Sequence, residues 1–405
     1  MKNYFHIFLK NKVLGINILG ALSLFGANIV LKGVFTPTDY GVYAILVTFV
    51  SVVFSFGAMG AEQVLNRFAR ISDSVSFDTY SVIFLAGSLF CGFVLSIYQG
   101  LAWVGLVVDT YIVYLVTICS IYSMVMYNYL RLRGDFSLSL LYTNLWKVIF
   151  FILTLCTLFI DLAIDEFLKL FSLLFTLTCM TLLLFTKFSN IKFIKWEDKK
   201  AVVLFSVGSL INIGLMTLLG YGDRFLIESM IGLEQLGTYF YNLTVFVFPF
   251  VLLANYIGFK KLVSYKVKCT SEIFKRDIFF AIKLSISLVF TVCLFVLFFN
   301  ILGLYSVWLG ALNVDITDSL PYFFLGITKL LYSYFSALSG ALVSSRNIIK
   351  LNVVTLFLMV LCSYYLLIKD VVSVNLIIYL LSFIWVFRSA SIYIAIKRQR
   401  FTALS

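Results

Sequence analysis

Charged side chains stand inside or at the ends of long apolar segments, among them Lys32, Lys147, Lys169, Asp223, Arg224, Glu228, Lys283, Lys329 and Arg388. A charge at mid-bilayer costs roughly 2.5–3.5 kcal/mol on insertion scales, so each needs a reason to be there. Most are cationic, which favours an anionic ligand. Around Lys329, the residues Tyr322, Gly326, Ser333, Ser336 and Gly340 recur at three- and four-residue steps. On a helix this is one small, polar face, expected to line a cavity with an ammonium in its middle; the same pattern also serves plain helix packing. Lys147 has Thr143 and Asn144 one turn earlier, so it is either a lumen cation or an internal counter-ion. Asp223 and Arg224 are adjacent and point about a third of a turn apart. Either each ties a neighbouring helix, or Arg224 offers its guanidinium fork to an anion while Asp223 and Glu228 relay protons. Lys32 shares a face with Asn28, Leu24, Ala21 and Asn17, and either reaches a cavity or snorkels to the headgroups. Lys169, Lys283 and Arg388 lie nearer segment ends, where snorkelling is the default expectation.

The elements that carry these residues are membrane spans. Of 405 residues, 62% are hydrophobic and 12% charged, and the mean hydropathy is +1.04. A water-soluble domain with that composition would expose large apolar patches. A span needs about 20 mostly apolar residues, and such segments fall at 13–35, 41–61, 79–100, 110–130, 137–160, 167–186, 201–230, 237–259, 278–300, 320–342, 348–368 and 371–396. They are too long and too uniformly apolar for barrel strands, so they are expected to be helices. Pro249 predicts a kink in the eighth of them, and Glu62 is expected to cap the second.

Lys and Arg cluster in every second gap between these segments: at residues 2–12, 67–70, 131–133, 187–200, 260–276, 346–350 and 397–400. The gaps between, at 36–40, 100–109, 161–166, 231–236 and 301–320, contain neither, and only Lys369 breaks the pattern. Cationic flanks stay on the cytoplasmic side, which sets both termini inside a plasma membrane. The net charge of +12 therefore belongs to a membrane rim facing anionic headgroups rather than to a nucleic-acid surface. The first segment is too long for a cleaved leader and is expected to remain as a helix. The seven cysteines include no CxxC pair, so neither a disulfide framework nor a metal site is indicated. His6 is the sole histidine, which leaves no histidine-based acid–base chemistry in the spans.

The connecting stretch 187–200 divides the chain into an N-terminal six-helix bundle, 1–186, and a C-terminal one, 201–405. The halves resemble each other: Phe35-Thr-Pro-Thr-Asp-Tyr-Gly41-Val-Tyr43 in the first matches Ile231-Gly-Leu-Glu-Gln-Leu-Gly237-Thr-Tyr239 in the second, with a turn of equal length before Gly-x-Tyr. An even number of helices per half makes these parallel repeats, related by an axis along the membrane normal.

Further local patterns are Gly60 with Arg67-Phe-Ala69, Leu130-Arg-Leu-Arg-Gly-Asp-Phe136, and Gly222-Asp-Arg-Phe-Leu226 followed by Gly232-Leu-Glu-Gln-Leu-Gly-Thr-Tyr239. With these and Pro37-Thr-Asp-Tyr-Gly-Val-Tyr-Ala44, the chain resembles the Wzx-type polysaccharide (O-antigen) flippases of the multidrug/oligosaccharidyl-lipid/polysaccharide exporter superfamily. One departure is that the arginine common in that family's first helix is replaced by Gly33, with Lys32 displaced by one. The resemblance implies an all-α polytopic protein of two six-helix bundles, V-shaped and open inward or outward. It also implies a substrate made of an oligosaccharide linked through diphosphate to a polyprenyl lipid, for O-antigen or a related surface polysaccharide of the lipopolysaccharide type. Lys329, Lys147, Arg224 and Lys32 would then meet the diphosphate or acidic sugars, and Asp223 and Glu228 would be ion-coupling candidates for a proton or sodium ion. No cofactor is implied; membrane lipids, a polysaccharide polymerase and a chain-length regulator are the expected partners in the bacterial inner membrane.

Two other classes compete. A membrane enzyme of polysaccharide assembly would need a large external loop, and the longest external gap here is 301–320, with Asp315 and Asp318 as its carboxylates. A multidrug or organic-cation antiporter of the same superfamily would use buried carboxylates, whereas most of the charges in these spans are cationic. A nucleotide-driven pump is not indicated, because no GxxxxGK[ST] motif occurs.

Overall fold

The computed structural model describes residues 2–71, 75–104, 108–186, 191–195, 197–267, 270–303, 313–343, 345–369 and 371–401. Among these, eleven helical runs are long and apolar enough to cross a membrane. The chain is a multi-pass, all-α membrane protein. It forms two compact units, Met1–Tyr221 and Gly222–Ser405, and the division falls within a helix rather than in the stretch 187–200.

The first unit is built from α1 (Lys2–Val34), α2 (Pro37–Phe56), α3 (Ala61–Phe68), α4 (Thr79–Gln99), α5 (Thr110–Leu132), α6 (Phe136–Thr157), α7 (Ile164–Phe185) and most of α8 (Lys199–Met230). Helix α2 begins where the sequence caps it: Thr36 accepts from the backbone N–H of Asp39 at 3.2 Å, its hydroxyl donates to the Asp39 carboxylate at 2.7 Å, and Pro37 takes the first turn, where a missing N–H costs nothing. Nearly every α2 side chain from Tyr40 to Val53 is buried. Tyr43 and the ladder Phe150, Phe167, Phe171 and Phe175 pack at its side, with Phe150 and Phe171 stacked at 3.8 Å.

The second expected span is broken. Between α2 and α3 the chain turns through Met59 (φ 50°) and Gly60 (φ 80°), left-handed backbone that glycine adopts without strain. At the break α4 comes in so close that a Cβ on Gly92 would lie 2.0 Å from the Gly57 carbonyl oxygen.

A small sheet was not expected. Strands β1 (Ala69–Ile71) and β2 (Val75–Asp78) pair antiparallel, and β3 (Ile191–Ile194) joins β2 in parallel. The stretch between the two sets of helices is thus tied by backbone hydrogen bonds to the end of the second span. Asp78, fully buried, fastens the corner: one oxygen accepts from the Ser81 N–H at the start of α4 (3.1 Å), the other from the Glu197 N–H (3.1 Å).

The second unit contains the end of α8 with α9 (Leu233–Asn242), α10 (Phe248–Val267), α11 (Ser271–Gly303), α12 (Leu320–Leu342), α13 (Ser345–Ile368) and α14 (Val374–Phe401). Between α9 and α10 a π-helical turn, Leu243–Val247, ends two residues before Pro249, which absorbs the proline within one continuous helical run. The charged gap 260–276 is mostly helix, since α10 and α11 extend into it. Their ends are joined where Asp277 accepts a 2.7 Å ion pair from Lys261 and a 2.9 Å hydrogen bond from Tyr265. Of the cysteines, Cys269 lies outside the described residues.

The outer faces of α11 and α13 are almost entirely exposed Phe, Leu, Ile and Val, the surface that lipid rather than water would cover. Helix α12 has the bounds the sequence predicts but is too polar to count among the apolar runs. Its polarity is tolerated because α10, α11 and α14 surround it. The duplication also shows in the packing: in each unit the fourth of its long helices lies against the second, the third and the sixth.

Candidate functional site

The Gly-x-Tyr of each half reaches back to the helix before it. In the first unit the Tyr43 hydroxyl donates to Asn28 Oδ1 at 2.7 Å, while Tyr40 donates to the Asn28 backbone oxygen at 2.9 Å. In the second unit Tyr239, in the matching position, donates to Asp223 Oδ2. The same tyrosine therefore meets an amide in one unit and a carboxylate in the other. Asn28 is 5% exposed, so the polar stripe expected on α1 ends in a helix–helix tie at this residue. Lys32, one turn further, lies 5.6 Å from the Tyr40 ring, within cation–π range.

In the second unit Asp223 is 3% exposed, and its Oδ1 is buried without a hydrogen-bond partner among the described residues. Arg224 lies 5.2 Å from the Phe240 ring, and Glu228 is half-buried one turn on. Across from α8, Lys329 on α12 lies within electrostatic reach of both Asp223 and Arg224. Tyr322 completes the group by accepting from Asn242 Nδ2 at 3.4 Å, its ring 5.9 Å from that of Tyr239. Asp223, Arg224, Tyr239, Tyr322 and Lys329 thus form one mixed cluster of a carboxylate, two cations and two phenols, able to bind an anion or pass a proton.

Three small residues of the α12 stripe pack against a neighbouring helix, while Ser336 is exposed. A Cβ on Gly326 would lie 2.8 Å from the Phe250 ring, Ser333 meets Gly258, and a Cβ on Gly340 would lie 2.9 Å from Leu262. Those three positions are the contact with α10, where small residues let two helix backbones approach.

In the first unit Lys147 is partly buried and donates to Asn144 Oδ1 at 2.9 Å, with the Trp146 ring 5.7 Å away. Asn144 is itself pressed against Gly20 of α1, where a Cβ would lie 2.3 Å from its Oδ1. The approaches of Gly20 to Asn144 and of Gly26 to Phe151 set α1 and α6 in register. Lys147 then sits about 14 Å along the axis from Lys32 at 1.5 Å per residue, so those two cations occupy different depths.

Of the residues expected to snorkel, Lys283 is exposed over the Phe279 ring at 4.6 Å, and Lys169 pairs on the surface with Asp109 at 3.3 Å. Arg388 does not snorkel: it is 5% exposed and bonded to Tyr332, Thr355 and Asn352. Sequence depth locates a residue along a helix but not around it, which is why this one was misplaced. Glu62 was expected to be a cap. Instead its Oε2 is buried without a donor, as is Oδ1 of Asn66, one turn on along α3. Asn66 donates to Asn128 Oδ1 at 2.9 Å. The only sequence signal for this pair was two polar residues four apart.

No protein-family model and no curated protein matches the sequence. A solved structure described as the inward-facing conformation of a multidrug resistance MATE family transporter of the MOP superfamily aligns over 97% of this chain and 98% of its own, with 14% identity and a TM-score of 0.54. A second, described as protein A, aligns over 96% of each chain with 13% identity and the same score. The chain thus shares, over nearly its whole length, the fold of that MATE family transporter.

Proposed function

We propose that this protein is a flippase that carries a polyprenyl-diphosphate-linked oligosaccharide from the cytoplasmic to the outer face of the plasma membrane. The observation that carries the reading is the sign of the intramembrane charge. Lys147, with a single neutral amide as its hydrogen-bond partner, and Lys329, near both Asp223 and Arg224, together with Arg388 place more cation than carboxylate within the spans. Cations held this way are costly unless an anion is expected, and a diphosphate is such an anion. In this reading, alternating access presents the cationic side chains first to the cytoplasm and then outward, while the polyprenyl tail stays in lipid. Asp223, with one oxygen on Tyr239 and the other unpartnered, is the candidate to take up the coupling proton or sodium ion, with Glu228 beside it.

The shared fold with a multidrug resistance transporter, together with the buried carboxylate of Asp223, favours a second reading, an antiporter of organic ions. One experiment separates them. In a strain lacking the gene, with and without its restoration, lipid-linked oligosaccharide and surface polysaccharide are measured alongside drug susceptibility. The flippase reading expects complete, unpolymerised lipid-linked units to accumulate while surface polymer is lost. Unchanged polymer with raised drug susceptibility would select the antiporter.

A further inference from the structure

Arg388 is a cation buried in the core of the second unit among neutral groups. It donates from Nε to the Tyr332 hydroxyl at 2.9 Å, from one terminal nitrogen to Thr355 Oγ1 at 3.3 Å, and from the other to Asn352 Oδ1 at 2.8 Å. Among the described residues no carboxylate is paired with it. A guanidinium carries five N–H donors, and these bonds use three of them, which leaves two. The Thr355 hydroxyl spends its own hydrogen on the Leu351 carbonyl at 2.7 Å, so toward Arg388 it only accepts.

One turn before Arg388 on α14 stands Trp385, also 5% exposed, whose indole Nε1 is buried without an acceptor. The Trp385 ring packs edge-on against Tyr332 at 4.5 Å, and the Arg388 guanidinium lies 5.8 Å from the same Tyr332 ring. Tyr332 therefore holds both groups. A net positive charge, two spare guanidinium N–H groups and an unpartnered indole N–H share one buried corner between α12, α13 and α14. A lone buried donor and a lone buried charge are each unfavourable; an anion would relieve both.

We propose that this corner is a binding site for a small inorganic anion of the chloride type, held by Arg388 and the Trp385 indole N–H. The burial of Arg388, Trp385 and Tyr332, at 5%, 5% and 8% exposure, limits the occupant to an ion and keeps out a lipid headgroup or a glycan. Bound there, the anion neutralises Arg388 and fixes α14 against α12, the helix that carries Lys329. The site does not depend on what the protein transports.

The test uses the purified full-length protein in detergent, with chloride exchanged for gluconate at constant ionic strength and thermal unfolding followed. An anion that binds only the folded state raises the unfolding midpoint in a saturable way. The wild type is expected to show that rise. Trp385→Phe keeps the ring and removes only the N–H, and should fold normally but need about tenfold more chloride for half the effect, the loss of one charge-assisted bond. Arg388→Gln should abolish the response. A wild-type midpoint indifferent to the exchange, or a Trp385→Phe protein that responds as the wild type does, overturns the proposal. Where Arg388→Gln fails to fold, the Trp385→Phe comparison decides.

Discussion

Lys329 separates a packing role from a binding role at the scale of one side chain. Its neighbours Gly326 and Ser333 are committed to the contact with α10, so their spacing explains the helix pair and leaves the ammonium unexplained. Replacing a buried charge by an apolar residue of similar volume is often neutral or stabilising when the charge is only structural. Lys329→Met should therefore accumulate in the membrane at wild-type level while export falls by roughly tenfold to a hundredfold, the loss of one charge-assisted contact. Normal export at normal protein level would remove Lys329 from the site. Asn28 makes the opposite case, a polar residue whose role is structural. Asn28→Ala leaves the buried Tyr43 hydroxyl without its acceptor and should lower stability by about 1 kcal/mol, seen as earlier thermal aggregation. The double change Asn28→Ala with Tyr43→Phe, which removes acceptor and donor together, should lose less than Asn28→Ala alone. The charged residues themselves were legible in the sequence, because a Lys or Asp stands out in an apolar run. Their partners were not: Asn28 with Tyr43, Asp223 with Tyr239 and Arg388 with Tyr332 are contacts between helices, and a single sequence does not say which face of a helix meets which neighbour.

At the scale of elements, the existence of the long apolar helices was the most readable feature. Helix α12 keeps the predicted bounds of 320–342 because hydropathy is a local property, whereas α2 starts at Pro37, before the expected 41, on a Thr36 cap that hydropathy does not show. The short sheet was missed because its strands, 69–71, 75–78 and 191–194, are too brief to show a period, and the pairing of β2 with β3 spans more than a hundred residues. The break between α2 and α3 was missed because the apolar run continues through it. That break rests on a close approach, the Gly92 Cα over the Gly57 carbonyl. Gly92→Ala would drive a methyl group into the Gly57 oxygen at 2.0 Å, far inside van der Waals contact, and should cut the yield of folded protein severalfold as overpacking does. Gly87→Ala, on the same helix with nothing within 4 Å of its Cβ, should leave the yield unchanged or slightly raised, since alanine favours helix. Equal yields from the two variants would mean that α4 can shift away from the break.

At the scale of the whole molecule, the sequence displays its order twice. The matched Gly-x-Tyr turns predict a duplication, and some of the same helix pairs pack in both units, the fourth helix against the second, third and sixth, with Asn28 in one and Asp223 in the other taking the tyrosine. The two acceptors do not occupy matching positions: with Tyr43 set on Tyr239, Asn28 falls on Arg224 and Asp223 on Ala27, so the second unit brings a carboxylate to its tyrosine from the position next to the one that supplies the amide in the first. The alternation of charge then orients the whole. Lys and Arg fall in alternate gaps, and the sheet that joins 69–78 to 191–194 lies wholly among them, so a single folded cap should sit on the cytoplasmic face with the Asp109–Lys169 pair at the opposite one. In a background stripped of native cysteines, Ala163→Cys should react with a membrane-impermeant thiol reagent in intact cells, whereas Lys192→Cys should react only once the membrane is opened. Lys192 is an exposed residue of β3, so protection in intact cells would come from the membrane and not from burial. Labelling of Lys192→Cys in intact cells would invert the topology, and with it the direction in which the cationic side chains meet their anion.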